Sequence, residues 1–175
     1  MVKIILLVIG GCVFVLLAAM VVVPKVTGTA GNITEVGETY SYTVEGEVSK
    51  PGTYTLSDAV TMLDLITAAG GTVYNTDELS YFDDAKLTAG NTYYIVGIFD
   101  ASDLCSNEPI KKVNVNKATA QELAEINGIT STIASSIVSY RVGTGTFNTI
   151  EDIMNVYGIG NATYRKIRNY VTLHE

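Results

Sequence analysis

One bend occurs twice toward the C-terminus, and any fold for this sequence must place both copies. They are Ile126-Asn127-Gly128-Ile129-Thr130-Ser131 and Val156-Tyr157-Gly158-Ile159-Gly160-Asn161. In each, glycine lets the chain turn sharply and the next isoleucine is an apolar plug. A helix opens directly behind each bend. Its first N–H groups have no intrahelical acceptor and point outward at the positive end of the helix dipole. Behind the second bend comes Tyr164-Arg165-Lys166-Ile167-Arg168, while Arg141 lies near the end of the first helix. Such a turn holds a backbone phosphate of a nucleic acid without consulting the bases.

The charge looks wrong for that partner until it is divided. The formal net charge is -7. From Lys25 to Pro109 there are three basic and thirteen acidic residues, a net of -10. From Ile110 to Glu175 there are seven basic and five acidic, a net of +2. The asymmetry predicts two modules, the acidic one repelling a polyanion and the mildly basic one accepting it. So small a positive charge predicts weak binding per copy, strengthened by clustering along one duplex.

In the basic module, Thr119-Ala120-Gln121-Glu122 is a capping box and Thr149-Ile150-Glu151-Asp152 a looser one, so helices begin near Ala120 and Ile150. Phe147 is a core anchor, and Leu123, Ile126, Ile133, Ile137, Ile153, Val156, Ile167 and Tyr170 are expected to fill the interior. The string Val113-Asn114-Val115-Asn116-Lys117-Ala118-Thr119, Asn127-Gly128-Ile129, Tyr140-Arg141, Gly145-Thr146-Phe147, Ile150-Glu151-Asp152-Ile153 and Gly158-Ile159-Gly160 resembles the tandem helix-hairpin-helix domain of ComEA-type competence proteins. The resemblance implies a membrane-tethered receptor for double-stranded DNA in natural transformation, handing DNA to an uptake channel or pilus component. Thr130 departs from the family's Gly-hydrophobic-Gly pattern and crowds a phosphate more than glycine would, so the second bend is the better contact.

The expected interface comprises Gly128, Ile129, Thr130, Ser131, Gly158, Ile159, Gly160, Asn161, Ala162 and Thr163, whose N–H groups hold two phosphates flanking a minor groove. Lys117, Arg141, Arg165, Lys166 and Arg168 add charge. About three to five phosphates neutralised give a salt-sensitive, sequence-tolerant interaction. Similar hairpins also hold a monovalent cation; the carbonyls of Met154, Val156 and Ile159 are the positions here.

The acidic module begins with period-two alternation at Tyr40, Tyr42 and Val44, a half-buried strand continuing to Val48. Lys50-Pro51-Gly52 turns into a strand, Thr53–Leu56, after which Ser57 caps a helix burying Val60, Leu63, Ile66 and Thr67 and ending at Gly70-Gly71. A returning strand, Thr92–Val96, completes a small β-grasp. Val44-Glu45-Gly46-Glu47-Val48, Pro51-Gly52-Thr53-Tyr54 and Ala69-Gly70-Gly71 resemble the SLBB (soluble-ligand-binding β-grasp) domain, which implies sugar or polymer binding or pairing with its own copies. A homo-oligomer through this module is therefore expected.

Ile4–Val23 is an uncharged run of twenty residues, long enough to span a bilayer. It predicts a single-pass anchor with the N-terminus cytoplasmic and the rest extracytoplasmic, although charge alone leaves the opposite orientation open. Cleavage at Gly28-Thr29-Ala30 is the alternative. The resulting plan is α+β: anchor 1–24, tether 25–38, β-grasp 39–99, linker 100–110 and an all-α tandem helix-hairpin-helix domain 111–175.

Cys12 and Cys105 are too differently placed for an intrachain disulfide, and Cys105 is read as a free thiol. No Cys/His spacing marks a metal site. His174 reads as a solvated tail residue, and Asp83-Asp84, Glu45 and Glu47 as a solvated face. With no nucleophile elbow, phosphate loop or cofactor motif, no enzyme is expected. The rival to DNA capture is a surface scaffold whose β-grasp binds envelope polysaccharide or self-assembles.

Overall fold

The computed structural model describes residues 38–57, 59–100 and 108–175. The expected anchor, most of the tether, and both cysteines lie outside the described residues. Among the described residues no helix is long and apolar enough to cross a membrane.

Alternation in the tyrosine-rich strand produces β1, Thr39–Gly46, with Tyr42 and Val44 fully buried. It pairs antiparallel with β2, Gly52–Ser57, and parallel with β3, Thr92–Ile95, giving the order β2-β1-β3. Gly46, at φ +86°, lies so close to the Ile95 carbonyl that a Cβ there would sit 2.1 Å from its oxygen. Only glycine fits that crossing.

Helix α1, Met62–Ala68, is capped by Thr61 rather than Ser57. The Asp64 carboxylate accepts from Thr61 N at 2.9 Å, completing a capping box the sequence reading passed over. The register shifts with the cap. Met62, Leu65, Ile66 and Ala69 face the sheet, while Leu63 is 50% exposed and Thr67 is exposed. A short 3-10 turn, Glu78–Ser80, follows.

The C-terminal module is helical but not purely so. Its two ends, β4 (Val113–Asn114) and β5 (Val171–Thr172), pair as a short parallel ladder. Between them lie α2 (Ala120–Ala124), α3 (Ser131–Thr144), a 3-10 turn (Ile150–Asn155), α4 (Asn161–Ile167) and a last 3-10 turn (Arg168–Tyr170). The core is built on Leu123, Ile137, Phe147, Ile153 and Ile167. Ile133 is only half-buried and Tyr170 is 40% exposed; Tyr164 takes the interior place expected of Tyr170. The short α4 brings the 164 position, not the 170 position, round to the core.

The β-grasp and the helical module belong to one compact unit. Val96, just past β3, is buried in the helical module's core, and Leu173 N donates to Leu79 O at 2.9 Å. Lys112 crosses from the helical side to the Asp77 carboxylate and donates to Gly97 O at 2.6 Å. Burial holds the Lys112 ammonium below the usual lysine range. His174 is drawn in as well. Its ring stacks on Phe82 at 4.7 Å and Nε2 lies 2.9 Å from Tyr81 O, so the expected solvated tail is a docking element.

Candidate nucleic-acid interface

The two bends share one backbone design. Gly128 stands at φ +113° and Gly158 at φ +93°, in the region that favours glycine. Ile129 N donates to Ile126 O at 3.0 Å, and Ile159 N to Val156 O at 3.1 Å. All four of those apolar side chains are buried. The bends also pack reciprocally. A Cβ at Gly128 would meet the Lys166 and Ile167 side chains at 3.0 and 3.2 Å, and one at Gly158 would meet Ile133 Cγ1 at 3.3 Å. Each turn thus rests on the other hairpin's helix, which sets the two helix openings side by side.

Their third positions differ. Thr130 is the N-cap of α3, extended at φ −79°, and its hydroxyl accepts from Ile133 N at 3.3 Å. Gly160 is the N-cap of α4, extended at φ −97°, and offers no side-chain acceptor. The first helical bond of α4 is Tyr164 N to Gly160 O at 2.9 Å, so the amides of Asn161, Ala162 and Thr163 precede it. A Cβ at Gly160 would meet nothing within 4 Å. Neither packing nor backbone conformation asks for glycine there.

The five expected cations do not act alike. Arg165 and Lys166 are exposed, and neither makes an ion pair among the described residues. Lys117 is exposed and lies 3.0 Å from a Glu175 carboxylate oxygen, a surface pair of little strength. Arg141 donates to the carbonyls of Val115 at 2.8 Å and Lys117 at 3.4 Å, bracing the segment before α2. Arg168 lies over the Tyr94 ring at 3.5 Å and 3.9 Å from Glu45, both on the β-grasp. Free amides and free cations therefore coincide at the second hairpin.

Glu151 is the residue the sequence reading did not single out. It is 8% exposed, and its Oε1 accepts from Tyr94 N at 2.8 Å and from the Tyr164 hydroxyl at 2.7 Å. The carboxylate thus ties β3 of the β-grasp to α4. Its Oε2 is buried with no partner. Burial raises the Glu151 carboxyl above the usual range, outweighing the hydrogen bonds from Tyr164 and Tyr94. Burial, then the Glu151 charge, raises the Tyr164 phenol too. The neighbouring Asp152 carries the cap expected at this turn, accepting from Asn148 N at 2.8 Å and Thr149 N at 2.9 Å. One acid of the adjacent pair faces water and the other the core, a division no spacing rule announces. Among the described residues no group of His, Cys, Asp or Glu is placed to hold a metal ion.

A helix-hairpin-helix motif profile matches residues 108–172, and an SLBB domain profile matches residues 41–80. The chain is 32% identical over 151 residues to ComE operon protein 1 of Bacillus subtilis, covering 81% of this chain and 74% of that protein. It is 41% identical over 93 residues to an uncharacterized protein of Haemophilus influenzae, 53% of this chain and 83% of the other. A third similarity, to endonuclease/exonuclease/phosphatase family domain-containing protein 1 of Bos taurus, is 40% over 60 residues; it spans 34% of this chain and only 10% of that protein. With paired hairpins, a β-grasp ahead of them and a relative matched over most of both lengths, the chain belongs to the ComE operon protein 1 family, the ComEA-type competence proteins.

Proposed function

We propose that this protein is a DNA receptor for natural transformation, gripping the duplex through its backbone phosphates without sequence preference. The observation that carries this reading is Gly160: a position whose backbone is ordinary, whose Cβ direction is empty, and which stands before three unpartnered amides. A phosphate oxygen takes hydrogen bonds from those amides, and the helix dipole favours its charge. Lys166 and Arg165 neutralise the neighbouring phosphates. The first hairpin supplies a weaker second grip through Ser131 and Thr132, because Thr130 already satisfies one amide. Lys117, Arg141 and Arg168 contribute at longer range. Protein main chain and fixed cations suffice, so the reading calls for no catalysis and no cofactor. A monovalent cation on the carbonyls of Met154, Val156 and Ile159 is compatible with it, since Val156 O accepts one hydrogen bond and keeps a lone pair.

The same reading places residues 4–23 across the membrane, with the β-grasp and hairpins outside the cell and the captured DNA passed to a channel or pilus component. The β-grasp pairs with further copies. Its strand β2 is an end strand of the sheet, which supports association along that edge. Several copies on one duplex then compensate for a small positive charge.

The test is binding of the full chain to random duplex, followed by fluorescence anisotropy across a salt series. Wild type is expected to bind with a log-log slope of about three to five in magnitude. The double variant Gly160→Val, Lys166→Glu is expected to lose at least about ten-fold in affinity, from one charge-assisted hydrogen-bonding site and one cation. Wild-type chain that ignores duplex at low salt would leave the scaffold reading in its place.

A further inference from the structure

We propose that the β-grasp itself carries a DNA-phosphate contact, at Lys86, continuous with the second hairpin across the cleft that separates the two modules. This rests on the DNA reading above. The cleft has a volume of about 480 Å³ and is lined from one side by Lys86, Asn91 and Tyr94 and from the other by Asn161, Tyr164 and Arg165. Asn161, Tyr164, Arg165 and Arg168 recur at helical spacing, so a whole face of α4 turns toward the β-grasp. Lys166 lies on the other side of the helix, its stem against Gly128. The cations of α4 therefore point in two directions, Lys166 toward the first hairpin and Arg165 toward the β-grasp.

The acidic groups of the cleft are largely engaged. Asp152 accepts from Asn148 N and Thr149 N. Glu45 stands 3.9 Å from Arg168, and Glu151 accepts from Tyr94 N and Tyr164. Lys86 and Arg165 make no ion pair among the described residues, and both are exposed. Asp64 feels the Lys86 charge, but its own carboxylate is taken up by Thr61 N and Oγ1. Lys86 and Arg165, from opposite modules, are the exposed cations of the cleft that make no ion pair among the described residues, and the exposed Asn91 and Asn161 line it with them. An anion with exposed oxygens fits that arrangement. A polyanion already held at the mouth of α4 delivers one, because successive phosphates of a duplex strand follow at about 3.4 Å along the helix axis.

The acidic module then has one basic position on the face turned to the hairpins. Lys50, the other lysine resolved in the β-grasp, does not line the cleft. This gives the experiment its control. Anisotropy of a random duplex with the full chain is measured from low to moderate salt for wild type, Lys86→Ala, Lys50→Ala and Gly160→Val. Lys86→Ala is expected to flatten the salt slope by about 0.9 and to weaken binding about eight-fold at 0.1 M salt, while Lys50→Ala matches wild type. Lys86→Ala behaving like Lys50→Ala, while Gly160→Val loses affinity, overturns the cleft contact and leaves the hairpin reading standing. Wild type that does not bind overturns both. Lys86 and Lys50 are both exposed, so unchanged circular dichroism and thermal midpoint are expected for the two lysine variants.

Discussion

The two hairpins run the same backbone course and differ in what surrounds it. Both need glycine at the turn, at φ +113° and φ +93°, and both bury the isoleucine that follows. The first closes its helix opening with its own threonine hydroxyl and leads into a fourteen-residue helix without a charge in its first turn. The second leaves its opening bare, leads into a seven-residue helix carrying Arg165 and Lys166, and is braced from behind by Glu151. The difference separates two uses of glycine. At 128 and 158 the fold demands it; at 160 it does not, and the proposed phosphate contact supplies a reason.

The widest separation is expected between Gly158→Ala and Gly160→Val. Alanine at 158 must adopt a left-handed conformation and crowd Ile133, so the cost to stability is about 1–3 kcal/mol. Valine at 160 occupies open space at an ordinary φ, so its cost is confined to a poorer N-cap, below about 1 kcal/mol. Duplex affinity should nonetheless fall about ten-fold, as expected for one lost charge-assisted contact. Urea unfolding and anisotropy on the same preparations read both quantities. Equal destabilisation by the two changes would show that position 160 is structural after all, and the contrast between the bends would collapse.

The brace behind the second hairpin is the next point of attack. Because burial raises the folded Glu151 pKa, the folded chain keeps this proton to higher pH than the unfolded chain does. The sign follows: stability is greatest below the ordinary glutamate range, declines as pH rises through it, and levels off above the folded pKa. Each tenfold difference in proton affinity between the states is worth about 1.4 kcal/mol. Glu151→Gln keeps an oxygen acceptor for Tyr94 N and Tyr164 while removing the titration, so its urea midpoint should vary less between pH 5 and 8 than that of wild type. Amide exchange should place the wild-type loss in α4, with α3 little affected. Parallel pH profiles for the two proteins would remove Glu151 from the account.

How much of this could be read from the chain divides along the same line. The bends, capping boxes at Thr119 and Thr149, the strand alternation and the Phe147 anchor are local patterns, and local patterns fix local backbone. One missed feature is local and the others are long-range. Thr61 displaced Ser57 as a cap because its hydroxyl could bond Asp64 in a complete capping box, and that one choice rotated Leu63 and Thr67 out to solvent. Glu151, His174 and Arg168 each take a partner from the β-grasp, where Tyr94, Tyr81 and Phe82 come to them from far along the chain. The β4–β5 ladder joins the two ends of the C-terminal module by pairs of residues, too short for any periodicity to declare. At the candidate site, the amides were legible as a motif, whereas the sorting of five cations into free and engaged was not.

The smallest expected effect bears most directly on why the hairpins differ. Thr130→Gly would convert the first bend to the glycine pattern of the second. The backbone accepts it, since φ −79° lies in the common range and glycine is a fair N-cap, costing only a few tenths of a kcal/mol against threonine. The Ile133 amide, relieved of the Thr130 hydroxyl, joins those of Ser131 and Thr132 in facing outward. No cation is added, because the first turn of α3 holds only hydroxyls and apolar groups. Affinity for duplex should therefore improve only about two- to three-fold, roughly 0.5 kcal/mol, with an unchanged salt slope. A gain of that size with constant slope isolates the capping hydroxyl as the cause of the first hairpin's weakness. Binding that weakens instead would mean that Thr130 touches DNA through its own hydroxyl, and that the departure from glycine is a contact rather than an obstruction.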